Sequence, residues 1–300
     1  MARRRDIVIG VIIGTSLLFV LGFMVLMFAG MMASDGGVSF GSLGGSIGVI
    51  PMSGVMDESS GRPVIEYLER WRDVGAIKAI VIHVNSPGGG TAIAQEIHDA
   101  ILKTREEKPV VVSMAGVAAS GGYYIACAAD RIVANPGTVT GSIGTIMSFH
   151  TFQGVFDKVG IGTEVIKSGE FKDVGDYSRE MSHEEELMLK SVVMDSYEQF
   201  VEAIATGRNM DKEDVYAVAD GSIYTGLQAY NLGLVDTLGG LADAVGLAAD
   251  LAGLDGKPEI VRPREKRRSF LSDLLTGVLG NLGQEIKDAG VGPRLMYIYR

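Results

Sequence analysis

Apolar positions along this 300-residue chain change their period twice, and the changes divide it. From Ile7 to Met32 no residue is charged, and Ile, Val, Leu, Phe and Met fill most positions. As a helix these 26 residues reach about 39 Å at about 1.5 Å per residue, more than a hydrocarbon core of about 30 Å. A secretory signal has an apolar core of only about 7 to 15 residues, so the stretch reads as an uncleaved transmembrane anchor. Arg3, Arg4 and Arg5 precede it within residues 1–6 and belong on the cytoplasmic side, which puts everything after Met32 across the membrane. Residues 33–46, rich in Gly and Ser with one charge, read as a flexible linker.

Short apolar runs then alternate with helical spacing. Ile47–Ile50 predicts a strand, Val64–Val74 a helix, and Ala79–Val84 a strand whose near-continuous apolar character suits burial on both faces. Helix Thr91–Glu107, strand Val110–Met114, helix Ser120–Ala129 and strand Arg131–Ala134 follow. This order implies βα units and a largely parallel sheet. Helical spacing dominates afterwards, at Glu184–Thr206, Lys212–Asp220, Thr225–Asn231 and Leu241–Leu251, so one α/β domain is expected over residues 47–255. In the tail, 256–300, Phe270, Leu271, Leu274, Leu275, Val278, Leu279 and Leu282 share one helical face behind the basic run 264–268. Such an amphipathic helix suits a membrane surface, the domain itself or another subunit.

Composition narrows the function classes. A net charge of −10 argues against a nucleic-acid partner, which needs a basic stripe or patch. The single cysteine, Cys127, rules out an intrachain disulfide, and its apolar surroundings suit a buried small hydrophobe.

Ser120 stands in the small-residue run Met114–Ala126 and is followed by two glycines that leave space beside it. A serine hydroxyl attacks a carbonyl only with a neighbouring base. Lys172, fifty-two positions later in Ser168–Val174, offers one if it is neutral. An ordinary lysine near pKa 10.4 is neutral in about one molecule in 2,500 at pH 7, and a dry apolar site lowers that pKa to roughly 7 or 8. Taken singly, Ser120 equally suits a turn or helix start, and Lys172 a solvated charge. Asn85-Ser-Pro-Gly-Gly-Gly90 adds a loop at the carboxyl end of a buried strand, the edge where open α/β sheets bind ligands. Consecutive glycines let backbone amides face a site, as an oxyanion hole requires. A Walker-type phosphate loop needs a lysine that is missing here.

Together, Asn85–Gly90, Ala118–Tyr124, Thr140–Gly144 and Ser168–Asp173 resemble in order and spacing the signal peptide peptidase A family of serine proteases, in its short, single-copy form. The resemblance implies a Clp protease/crotonase-like spiral of ββα units with additional C-terminal helices, behind the transmembrane helix. It implies Ser120 as nucleophile, Lys172 as general base, Ser142 as a hydroxyl partner of the amine, and Gly89 and Gly121 as oxyanion donors. No metal or cofactor is called for. Its substrates would be signal peptides after release from preproteins, met at the cell membrane by an extracytoplasmic domain. Members assemble as homo-oligomeric rings or domes, which leaves open whether Lys172 serves the Ser120 of its own chain or of a neighbour. The rivals are a Ser-His protease using His150, a crotonase-like acyl-CoA enzyme, for which a membrane anchor has no use, and an inactive scaffold. His83, His98 and His183 read as structural.

Overall fold

The strand β2 (Ile77–Ser86) lies between two parallel neighbours, β1 (Ser46–Ser53) and β4 (Val110–Ala119), and is apolar on both faces because helices cover the sheet on each side. Ile80, Ile82 and Val84 point to one core, and Ala79 and Val81 to the other, as the two-residue period of a strand requires. The first core is roofed by α1 (Glu58–Arg72), α2 (Thr91–Arg105), α3 (Gly121–Ala126) and α5 (His183–Arg208), which contribute Leu68, Ile97, Tyr123 and Phe200. The second is closed by α8 (Leu241–Leu251), whose Ala244, Ala248 and Ala249 meet Ile47, Val49 and Val111. These elements come from a computed structural model that describes residues 19–23, 45–263 and 296–298.

The expected mixed α/β fold with a parallel sheet is observed, with the first helix and the central strands longer than expected and the helices from Ser120 and from Lys212 shorter, at Gly121–Ala126 and Lys212–Tyr216. Helix α1 starts at Glu58 rather than Val64. Gly61 and Pro63 look like breakers, but a capping box outweighs them: Asp57 Oδ1 accepts the Ser60 amide at 2.9 Å, and Ser60 Oγ accepts the Asp57 amide at 3.0 Å. Strand β4 runs on to Ala119 rather than stopping at Met114, because it changes partners midway. Val111–Met114 pairs with β5 (Arg131–Ala134) and Val117–Ala119 with β6 (Val139–Gly141), both parallel. This handover carries the chain to the sheet edge just before Ser120.

Short strands complete the sheets. β7 (Ile223–Thr225) runs antiparallel to β6, β8 (Thr237–Leu238) parallel to β5, and β9 (Glu259–Val261) parallel to β1. β3 (Gly88–Gly90) and β10 (Met296–Ile298) form a separate antiparallel pair. The remaining helices among residues 45–263 are α4 (Gln153–Val159), α6 (Lys212–Tyr216) and α7 (Gly226–Asn231). Between Ile143 and Glu185 no residue is buried, and this segment holds α4 and a 3-10 turn, Glu170–Asp173.

The chain divides into two units, Met1–Leu43 and Gly44–Arg300. In the first, residues 19–23 are helical and exposed; the rest of the expected anchor Ile7–Met32 lies outside the described residues, as does the amphipathic stretch Phe270–Leu282. Among the described residues no helix is long and apolar enough to cross a membrane.

Candidate active site

Parallel strands β4 and β6 end side by side, Ala119 in register with Gly141, and each is followed by a serine in an unusual conformation. Ser120 has φ 51° and ψ −116°, and Ser142 has φ 50°. A non-glycine residue held there stores strain of about 1–3 kcal/mol and persists only when its surroundings over-determine it. For Ser120 the constraint is visible: its amide donates to the Gly141 carbonyl at 2.8 Å, and its own carbonyl accepts the Tyr124 amide at 2.8 Å as α3 begins. The Ser142 amide donates to the Ser222 carbonyl at 2.7 Å.

Only 1 % of Ser120 is exposed, and its Oγ is the buried side-chain polar atom that has no hydrogen-bond partner among the described residues. Leaving a hydroxyl so costs about 1–3 kcal/mol, a charge normally tolerated where the group has other work. Gly121 opens α3, where first-turn amides have no acceptor within the helix.

The glycine loop lies against this serine. Ser86 pairs with Ala118, and the Ser86 carbonyl is so near α3 that a Cβ on Gly122 would sit 3.0 Å from it. Ser86 Oγ accepts the Gly88 amide at 3.1 Å, turning the chain into β3 through a left-handed Gly88 with φ 99°. One side of β3 is held by Met56, whose amide donates to Gly88 O at 2.8 Å and whose carbonyl accepts the Gly90 amide at 2.9 Å. The other side receives β10, with Tyr297 opposite Gly89. Gly89 has no room for a side chain: a Cβ would lie 2.1 Å from Met56 O.

Ser120, Gly121, Ser142 and the Gly88–Gly90 loop are therefore gathered at one sheet edge. Lys172 stands apart from Ser120 in hydrogen-bonding terms, since Ser120 Oγ has no partner. It occupies the exposed 3-10 turn, with its amide donating to Gly169 O at 3.2 Å. Neighbouring Lys167 is engaged elsewhere, donating to Glu170 O at 2.7 Å and to Asp173 Oδ1 at 2.6 Å. None of the histidines bonds Ser120 Oγ either. His150 is exposed and lines a cavity of about 180 Å³ with Phe149, Asp176 and Arg179. His83 Nδ1 lies 3.3 Å from Ser113 Oγ, and His98 stacks on Tyr124 at 4.9 Å; burial pushes the pKa of both rings down. Burial likewise pushes the Cys127 thiol up to about 12, which leaves it unreactive.

Sequence reasoning passed over the charges around Lys172. The Asp173 carboxylate pairs with Lys167 and, at 3.0 Å, with Arg179; these two hold its pKa down at about 2. Arg179 Nη1 also donates to Glu185 Oε2 at 2.8 Å. Arg179, with help from the Ser182 amide, holds Glu185 at about 2 as well. The signal was there in Ser182-His-Glu-Glu185, a capping box that fixes a carboxylate at a helix start.

A model of peptidase family S49 matches residues 103–255, and one of Clp protease matches residues 48–138. The chain is 46 % identical over 177 residues to a putative protease of Synechocystis sp., covering 59 % of this chain and 64 % of that one. It is 40 % identical over 179 residues to the putative signal peptide peptidase SppA of Enterococcus faecium, covering 59 % and 52 %. With the chloroplastic serine protease SPPA of Arabidopsis thaliana the identity is 33 % over 239 residues, 78 % of this chain and 35 % of the relative. The chain thus spans less than two thirds of the length of these relatives. The S49 match runs over slightly more than half of the chain and takes in Ser120, Ser142 and Lys172, so the chain belongs to peptidase family S49.

Proposed function

We propose that the chain is a membrane-anchored serine endopeptidase that uses Ser120 and Lys172 to hydrolyse cleaved signal peptides and other hydrophobic peptides. The observation that carries this reading is Ser120 itself: a strained, buried serine with an unpartnered hydroxyl at a sheet edge, beside a glycine loop. Ser120 Oγ attacks the peptide carbonyl, the neutral Lys172 amine takes its proton, and the same amine returns it to the departing amide nitrogen. Water then attacks the acyl-enzyme by the reverse sequence. The Gly89 and Gly121 amides donate to the oxyanion, and Ser142 orients the amine. A substrate lies extended along Gly88–Gly90, as β10 does, so that main-chain pairing delivers the carbonyl to Ser120.

Two features support an assembly in which the base is delivered by another copy. Lys172 is exposed on a segment with no buried residue, and that segment presents Phe152, Val159, Ile161 and Ile166 to solvent, Ile166 at 96 % exposure. Apolar surface of this kind suits burial against a second copy. The N-terminal anchor would hold the assembly on the outer face of the cell membrane, close to peptides remaining in the bilayer.

The test is cleavage of a fluorogenic hydrophobic peptide by the full chain in detergent. Ser120→Ala and Lys172→Ala are expected to be inactive, and mixing the two regains activity if the dyad is built from two copies. Full activity in Lys172→Ala, with loss in His150→Ala, would instead establish a Ser-His enzyme.

A further inference from the structure

We infer that Arg179 is a positioning residue for Lys172, acting through Asp173 and Glu185; this rests on the reading of Lys172 as the base. A base must be held in place, yet the turn that bears Lys172 has only local backbone bonds. Lys172 donates to Gly169 O at 3.2 Å, Val174 to Phe171 O at 3.2 Å and Asp176 to Asp173 O at 3.1 Å. No residue of that turn is buried. A four-residue turn with so little burial does not fix a side chain by packing.

The longer-range hold passes through one guanidinium. Arg179 Nη2 lies 3.0 Å from Asp173 Oδ1 and donates to the Asp173 carbonyl at 3.3 Å, and Nε donates to Oδ2 at 3.3 Å. Its far side grips both oxygens of Glu185, which is only 3 % exposed and locked in the first turn of the 26-residue α5 by the Ser182 amide at 2.8 Å. The residue next to Lys172 is thereby tied to the start of α5. The chain beyond Asp173 is braced further: Phe149 covers Gly175, the Phe152 amide donates to Tyr177 O at 2.7 Å, and the Glu180 amide donates to Gln153 Oε1 at 2.9 Å.

The same contacts set the charge beside the base. Both Asp173 oxygens are occupied, Oδ1 by Lys167 and Arg179 and Oδ2 by Arg179, so this adjacent carboxylate is not left to pair with Lys172. A planar fork with five donors can span two carboxylates and a carbonyl; an ammonium cannot reproduce that geometry.

The test measures kcat and KM separately for the full chain in detergent, with Ser120→Ala and Lys172→Ala run alongside. Arg179→Gln is expected to lose about a hundredfold in kcat with KM within about twofold, because misplacing a catalytic group by about 1 Å costs that much. Arg179→Lys should recover only part of it. Asp173→Asn, which spares the Arg179–Glu185 pair and the α5 cap, should show the same kcat loss if Arg179→Gln folds poorly. Wild-type kcat in Asp173→Asn, or a raised KM alone in Arg179→Gln, overturns the inference while leaving the dyad standing. Full activity in Lys172→Ala overturns both.

Discussion

The amide of Ser120 donates to the carbonyl of Gly141 across the ends of β4 and β6, and this bond holds a serine where its hydroxyl is buried without a partner. The arrangement costs stability, which follows from either of its parts. Replacing Ser120 by Ala removes the unpaired hydroxyl and so should stabilise the fold by about 1–2 kcal/mol. For a domain of this size that raises the melting midpoint by about 2–4 °C per kcal/mol. Ser120→Gly should do at least as well by relieving the positive φ. Both variants should be inactive, and both melting curves are readable by calorimetry. A lower midpoint in Ser120→Ala would mean that the hydroxyl has a partner in the folded protein.

Gly89 and Gly90 are adjacent yet should respond oppositely to the same change. A Cβ on Gly89 meets Met56 backbone atoms at 2.1, 2.5 and 2.7 Å, so Gly89→Ala must push β3 away from residue 56. The expected cost is about 1–3 kcal/mol or more, with loss of labelling by a serine-directed acylating probe. On Gly90 the nearest atoms to a Cβ are Ile93 Cγ2 at 3.4 Å and Met56 O at 3.7 Å, and its φ of −60° is open to any residue. Gly90→Ala should therefore keep both stability and labelling. Equal effects at the two positions would show that the Met56 contact does not define the loop.

The sequence made some of this legible and hid the rest for physical reasons. Ala79–Val84 announced a buried strand because helices covering both sides of a parallel sheet demand apolar residues on both faces. Ala115–Ala119 did not, because its pairing depends on β6, three residues long and defined by register rather than by composition. Ser120, Ser142 and the glycine loop were readable as motifs, and the fold gathers them at one edge. The strain at Ser120 and Ser142 was not readable, since φ is set by tertiary bonds to Gly141 and Ser222. Arg179 escaped notice because its partners, Asp173 and Glu185, become a pair only when the segment folds back onto α5.

The Arg179 clamp should fail in acid within a definite window. Asp173 and Glu185 are held at about 2, below their ordinary values of 3.8 and 4.5. For depressed carboxyls the stabilisation is complete above the ordinary values and disappears as pH falls from about 4.5 towards about 2. Hydrogen exchange corrected for intrinsic rates should therefore show protection of residues 167–186 at pH 6 and its loss near pH 2, before the β2–β4 core opens. In Arg179→Gln the segment should be unprotected at both values. Protection unchanged at pH 2 would mean that the ion pairs do not hold the segment.

The pairing of β10 with β3 puts a stretch of the chain's own backbone where a substrate would lie. Met296, Tyr297 and Ile298 stand opposite Gly90, Gly89 and Gly88, so a peptide that adds to this edge must displace them. Competition of this kind raises the apparent KM by the fraction of time the edge is covered, without altering the chemistry at Ser120. Deleting Met296–Ile298 should then lower KM for a short hydrophobic peptide about threefold to tenfold and leave kcat within about twofold, since binding improves while Ser120 and Lys172 are untouched. A longer peptide, with more main chain to pair, should gain less. The measurement is a steady-state comparison of the two peptides with both forms of the full chain in detergent. An unchanged KM for both would mean that peptides reach Ser120 by a route other than Gly88–Gly90.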